Sequence, residues 1–166
     1  MHRPMFATAW SAAMKVYAPS NPEAKVASTI GGVVARNIDL PNAASRWKNT
    51  CAVRMSYILN HCGIPIPTIR GKTVTGGDKR QYFFRVRDLI DFLQHCWGEA
   101  EVVEFPPSGG GALANKRGVI LFEVSGWGDA QGHATLYNGI ICYDRCYFNE
   151  PEATFRTNRA HFWSLR

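Results

Sequence analysis

Cys51 stands at the first turn of a helix-forming run, NTCAVRMSYILNHCG, and its position there makes it the leading candidate nucleophile of the chain. At the N-terminal tip of a helix, unpaired N–H groups and the positive end of the dipole favour a thiolate over a thiol. A small buried hydrophobe is the competing reading of such a cysteine. A nucleophilic thiol needs a base, and the base needs a third group to orient it. Of the five histidines, His61 lies ten residues along the same helix, about 15 Å away and out of reach. His2, His95 and His161 have no comparably placed acid. His133 does: if Asn138-Gly139 forms a two-residue hairpin turn, Tyr137 opposes Ile140, Thr135 opposes Cys142 and His133 opposes Asp144. Opposed residues share a sheet face at about 4.5–5.5 Å between Cβ atoms, close enough for a carboxylate to hold an imidazole.

The chain order Cys, His, Asp is that of papain-like enzymes rather than of serine proteases. Asp129 and Asn138 compete with Asp144 for the acid role. Asp129 sits in a glycine-flanked turn that gives its carboxylate no fixed direction, and Asn138 lies at the far end of the strand from His133. The Cys51 N–H is the expected first oxyanion donor, with the second left open. Trp127 and Asn138 are the candidate substrate-binding residues; for Trp127 a place in the core is an equal alternative.

Other chemistries fit less well. His133, Cys142 and Cys146 could be read as metal ligands, but no second pair stands at ligand spacing, so no metal is expected. Gly71-Lys72-Thr73 resembles the end of a phosphate-binding loop, yet Ile66 occupies the place of its first glycine. In a straight strand Cys142 and Cys146 would be about 13 Å apart, beyond disulfide reach. A bond between them demands a tight turn over Tyr143 to Arg145, which competes with a regular ladder through Asp144.

Several elements must position these groups. The cysteine helix opens at Asn49 or Thr50, either of which can cap it, and stops at Gly63 and Pro65. Ala52, Val53, Met55, Ile58, Leu59 and Cys62 form its apolar stripe. Before it come a helix in MHRPMFATAWSAAMKVY and a second, from Asn21, through NPEAKVASTIGGVVARNI. The Gly31-Gly32 pair in the latter signals either a break or a close approach by another backbone. Residues 65–78 read as a surface loop, Val86–Trp97 as a helix ended by Gly98, and Glu101–Phe105 as a short strand before the flexible PPSGGG. GVILFEVSGW, GHATLYNGIICYDRCYF and AHFWSLR carry strand patterns. Helices gather first and strands last, an α+β arrangement.

At 166 residues and 46% hydrophobic content, the chain can bury a core as one domain, 1–166, without staples. A formal charge of +6 suits acidic partners without selecting one, because the basic residues are scattered rather than run together. No apolar stretch is long enough to span a bilayer.

Together, NTCAVRMSYILNHCGIPIP, GHATLYNG and CYDRCYF resemble the fourth family of type VI secretion amidase effectors, bacterial toxins related to papain-like and NlpC/P60 peptidases, over a span from about Ile30 to the C-terminus. The resemblance implies a papain-like (NlpC/P60-type) α+β fold, with N-terminal helices and the nucleophile helix packed on a C-terminal antiparallel sheet. It implies a cysteine amidase, made in the producer cytoplasm without a signal peptide, that enters the periplasm of a rival Gram-negative cell. There it would cut the γ-D-glutamyl–meso-diaminopimelate bond of peptidoglycan stem peptides. Carried onto this sequence, Cys51 is the nucleophile, His133 the base and Asp144 the acid, with no cofactor. The implied partners are the stem peptide, a cognate immunity protein and a type VI secretion carrier, with neither nucleic acid nor membrane insertion. In an oxidising periplasm Cys142 and Cys146, which flank Asp144, are expected to pair. The alternative is a basic module that binds nucleic acid or another anionic polymer without catalysis. Such a module would lose affinity steeply with salt and ignore thiol alkylation.

Overall fold

The computed structural model describes residues 1–128 and 131–166. Five α-helices come first: α1 (Phe6–Val16), α2 (Pro22–Ile30), α3 (Gly32–Ile38), α4 (Cys51–His61) and α5 (Val86–Trp97). A two-stranded hairpin, β1 (Thr73–Thr75) and β2 (Gln81–Phe83), interrupts them. A four-stranded sheet follows, from β3 (Glu101–Glu104), β4 (Gly118–Ser125), β5 (Gly132–Tyr137) and β6 (Arg156–Ser164), in the spatial order β3-β6-β4-β5 with every pair antiparallel. The molecule is α+β, with helices and antiparallel strands segregated along the chain.

Strand alternation divides the interior in two. Val119, Leu121, Ala134, Leu136 and Trp163 face the helices, while Ile120, Phe122, Tyr137, Ala160 and Phe162 face the other way. There Leu113, Cys142 and Phe148, from the segments between strands, cover them. Because both of its faces are buried, β4 reads as a near-continuous apolar run. Helix α4 lies at the centre of the helical layer, and residues 51–60 are all buried. The apolar stripe expected of α4 therefore understates its burial. Its polar residues are each answered from within: Ser56 Oγ donates to the Ala52 carbonyl and accepts from Phe83 N–H, and Asn60 bridges the Gln81 carbonyl and the Ile66 N–H.

Four local readings are corrected. The helix expected through Gly31-Gly32 is two helices, because Gly31 turns out at φ +68°. The glycine pair also admits a close neighbour: a Cβ on Gly32 would lie 2.5 Å from Gly76 C and Gly77 N. Break and close approach thus occur together, and Gly77 N–H bonds to the Ile30 carbonyl. Within the expected loop 65–78 lies β1, only three residues long and so too short to show a period. The last strand begins at Arg156, well before Ala160.

The fourth correction is the hairpin after β5. Its turn spans four residues, not two: Tyr137 bridges Cys142, and Asn138 N–H bonds to the Ile141 carbonyl. The Asn138 side chain accepts from the N–H groups of Ile140 and Ile141, which stabilises the wider turn. The returning chain is not a strand. Cys142 and Cys146 are joined in a disulfide with Cα atoms 5.2 Å apart, which curls residues 142–146 into a tight loop.

Candidate active site

Cys51 opens α4 with its Sγ 3.9 Å from the Gly132 carbonyl, at the start of β5. Thr50, at the cap position, makes no capping bond with its side chain. Instead the Asn49 Oδ1 accepts the Cys51 N–H at 3.1 Å. The Cys51 N–H, the expected oxyanion donor, is therefore engaged.

On the other side of the thiol stands His133, next along β5 and only 6% exposed. Its Nε2 lies 3.0 Å from Asp144 Oδ2. The ring N–H is not aligned on that oxygen, so charge rather than a linear hydrogen bond carries the attraction. The shifted hairpin register explains why this pair survives. Asp144 now falls opposite Thr135, two residues along from His133. A displacement of two keeps a residue on the same sheet face, so the carboxylate still reaches His133 on the diagonal.

The Asp144 carboxylate is held on every side. Oδ1 accepts from the Thr135 hydroxyl at 2.5 Å and from the Arg145 N–H at 2.6 Å, and Oδ2 accepts from Arg54 Nη2 at 2.9 Å. Arg54, one turn along α4 from Cys51, is 6% exposed. Its Nε donates to Tyr143 Oη at 3.1 Å, its Nη1 to Thr50 Oγ1 at 2.8 Å, and its guanidinium lies 5.1 Å from the Tyr17 ring centroid. Helix α1 and its C-terminal neighbour complete the cage, with the rings of Trp10 and Tyr17 edge-on to Tyr143. Arg54 and Thr135 went unread in the sequence. Arg54 lies off the apolar stripe, and an arginine on a helix is ordinarily solvated. Thr135 meets Asp144 only in the shifted register.

These contacts set the protonation states. Burial alone would raise the Cys51 thiol, but the His133 hydrogen bond and charge, then Arg54 and the Ala134 N–H, outweigh it and lower it. Burial alone would lower His133, yet Asp144 first and Cys51 second bring it up to about 9. Asp144 would rise on burial, but His133, Arg54 and Thr135 hold it at about 2. The pattern favours a thiolate beside an imidazolium, with an ionised carboxylate behind it. Cys62, by contrast, is pushed up to about 11 by burial alone.

The thiol opens onto a cleft of about 720 Å³ that includes Arg46, Trp47, Arg85, Arg87 and Glu123. A smaller cavity of about 290 Å³ adjoins it on the His133 side, walled by Glu23, Trp127 and Tyr147. Lys48 and Asn49 line both. Of the sequence candidates, Cys51, His133 and Asp144 come together, and Trp127 lines the smaller cavity beside His133, its ring edge-on to Tyr147. Asn138 does not join them: its carboxamide is used at the hairpin tip. Asp129, the alternative acid, lies outside the described residues. Among the described residues no group of three potential metal ligands is clustered, and no helix is long and apolar enough to cross a membrane.

Residues 47–163 match the family described as type VI secretion system amidase effector protein 4, Tae4. The fold is similar to that of Tae4 from Enterobacter cloacae in its effector-immunity complex with Tai4, at 43% identity, covering 99% of this chain and 100% of that one with a TM-score of 0.86. Tae4 of Enterobacter cloacae solved without Tai4 is 44% identical, covering 99% and 98% of the two chains, with a TM-score of 0.84. Tae4 of Salmonella typhimurium, in complex with Tai4 from Enterobacter cloacae, is 38% identical, covering 99% and 100%, with a TM-score of 0.84. No curated protein matches the chain.

Proposed function

The chain belongs to the type VI secretion amidase effector 4 family, and from that premise we propose that it kills rival cells by cutting peptidoglycan stem peptides with a Cys51-His133-Asp144 triad. Its architecture is the papain-like, NlpC/P60-type fold, and the whole chain, residues 1–166, works as one cysteine amidase domain. The bond cut is γ-D-glutamyl–meso-diaminopimelate. The protein is made in the producer's cytoplasm, carried by the type VI apparatus into the target periplasm, and restrained by a cognate immunity protein of the Tai4 kind. The observation that carries this reading is the imidazole of His133, seated between a thiol at a helix tip and a buried carboxylate 3.0 Å away.

The geometry performs amide hydrolysis in two halves. The Cys51 thiolate attacks the γ-carbonyl carbon, and the carbonyl π pair moves onto oxygen. As the tetrahedral species collapses, the His133 imidazolium gives its proton to the leaving amine, and a thioester remains on Cys51. His133, now neutral, takes a proton from water as the water attacks the thioester. The acid product leaves and the thiolate is restored. Asp144 keeps the imidazole turned toward Cys51 and stabilises its charged form. Arg85 and Arg87 give the larger cleft a cationic wall suited to the carboxylates of a stem peptide. Incubation of purified sacculi with the protein, followed by mass analysis of the released fragments, tests the proposal. New γ-D-glutamyl carboxyl ends with free diaminopimelate amines are expected, and intact stems would refute it.

A further inference from the structure

Asn49 lies two residues before Cys51, where the two openings of the site meet. It borders both the cleft that opens on Cys51 and the cavity that opens on His133, so a scissile amide reaching from one to the other passes against it. Its carboxamide has a defined sense. Only the oxygen can accept a hydrogen bond, and Oδ1 accepts the Cys51 N–H at 3.1 Å, so the amide nitrogen is turned away from the helix tip. Among the described residues Nδ2 donates to no protein group, and it is not sealed in the interior. The donor expected from the helix itself, the Cys51 N–H, is already used. A tetrahedral intermediate at Cys51 still needs a donor, because its oxygen gains a full negative charge.

We propose that Asn49 is a catalytic residue that stabilises the oxyanion, its Oδ1 anchored by the Cys51 N–H and its Nδ2 donating to the carbonyl oxygen. The anchoring polarises the group. A hydrogen bond from the positive end of α4 to Oδ1 draws electron density from the amide and makes the Nδ2 hydrogens better donors. The dipole of α4 thus acts on the oxyanion through the carboxamide. The assignment rests on Cys51 as the nucleophile and deepens that reading.

Asn49→Asp separates this role from capping. A carboxylate caps a helix as well as a carboxamide does, but it has no hydrogen to donate and repels an oxyanion. Asn49→Ala removes both functions. Each variant is assayed for turnover on a soluble stem-peptide fragment and for acylation of Cys51 by p-nitrophenyl acetate. Iodoacetamide alkylation against pH supplies the thiolate fraction for correcting both rates. After correction, both variants are expected to fall about 10²–10³-fold in kcat with KM little changed. Ester acylation should fall in parallel, and Asn49→Asp should melt at the wild-type temperature. Corrected rates within about threefold of wild type for Asn49→Asp would overturn the proposal and leave Asn49 a cap. If wild-type protein cuts no stem peptide but its Cys51 is acylated by the ester and Asn49→Asp slows that step, the substrate reading fails while Asn49 keeps its role.

Discussion

Removing the charge of Arg54 should disturb stability and thiol chemistry together, because one guanidinium reaches Asp144, Tyr143 and Thr50 from within the nucleophile helix. In Arg54→Met the aliphatic part of the side chain is roughly replaced, and the charge and three hydrogen bonds are lost. Breaking a buried ion pair costs about 3–5 kcal/mol. Asp144 keeps His133, Thr135 and the Arg145 N–H, so the lower end, about 3 kcal/mol, is expected. In a chain of this length that is a fall of about 6–12 °C in melting temperature. Arg54→Lys keeps a charge but cannot reproduce the planar fork, so it should lie between Arg54→Met and wild type. Arg54 also helps lower the Cys51 thiol and Asp144, and its loss should move both upward. Alkylation by iodoacetamide would then require higher pH. Because the folded-state pKa of Asp144 is depressed from 3.8 to about 2, it contributes stability above pH 3.8 that is lost as pH falls through about 2. Arg54→Met should lose less over that window. Thermal melts and an alkylation profile both indistinguishable from wild type would refute the reasoning.

Cys51→Ala should abolish sacculus cleavage while leaving the melt close to that of wild type, since a small buried side chain is exchanged for a smaller one; retained cleavage would remove Cys51 from the mechanism. Asp144→Asn should preserve local shape yet lower turnover on a soluble muropeptide by orders of magnitude, as loss of the orienting acid does in related triads. His133 is raised from 6.5 to about 9, so its contribution to stability is complete below 6.5 and lost as pH rises through about 9; kcat should decline over the same alkaline range, as a pH series on one muropeptide will measure. Cys142→Ser with Cys146→Ser should cost about 2 kcal/mol, the entropy of opening so short a loop, and lower kcat more than it raises KM, because the loop holds Asp144; steady-state kinetics and urea melts check it. Gly32→Ala should destabilise by about 2–5 kcal/mol, because its left-handed backbone and its contact with Gly76 and Gly77 both resist a Cβ; an unchanged urea midpoint would contradict this.

What could be read from the sequence was what depends on local chemistry. Capping and stop signals located α4, and α5 matched its expected bounds because Gly98 and a strong apolar period mark them. The strand patterns of β4 and β5 were clear for the same reason. The Asn138-Gly139 signal points to a two-residue turn and so to the wrong register, because Asn138 instead caps a four-residue turn. The His133–Asp144 contact nevertheless came out, because the slip was even. Arg54 was invisible for a different reason. Its role depends on Asp144, 90 residues later, and on Tyr17 and Tyr143 closing over it, and no local pattern encodes that closure. The engagement of the Cys51 N–H by Asn49 was hidden as well, since the sequence allowed either Asn49 or Thr50 as the cap.

The turn at 138–141 also constrains how this chain can vary across generations. Tyr137 bridges Cys142 and the Tyr143 N–H bonds to the Leu136 carbonyl, so the stretch leading to Asp144 is metered from the turn. A slip of this pairing by one residue would present the neighbouring side chains to His133 and carry the carboxylate to the opposite face, whereas a slip of two keeps it on the same side. Length changes in this hairpin that spare the toxin should therefore be those that keep this pairing or slip it by two, and a single-codon insertion that slips it by one should act as a null allele.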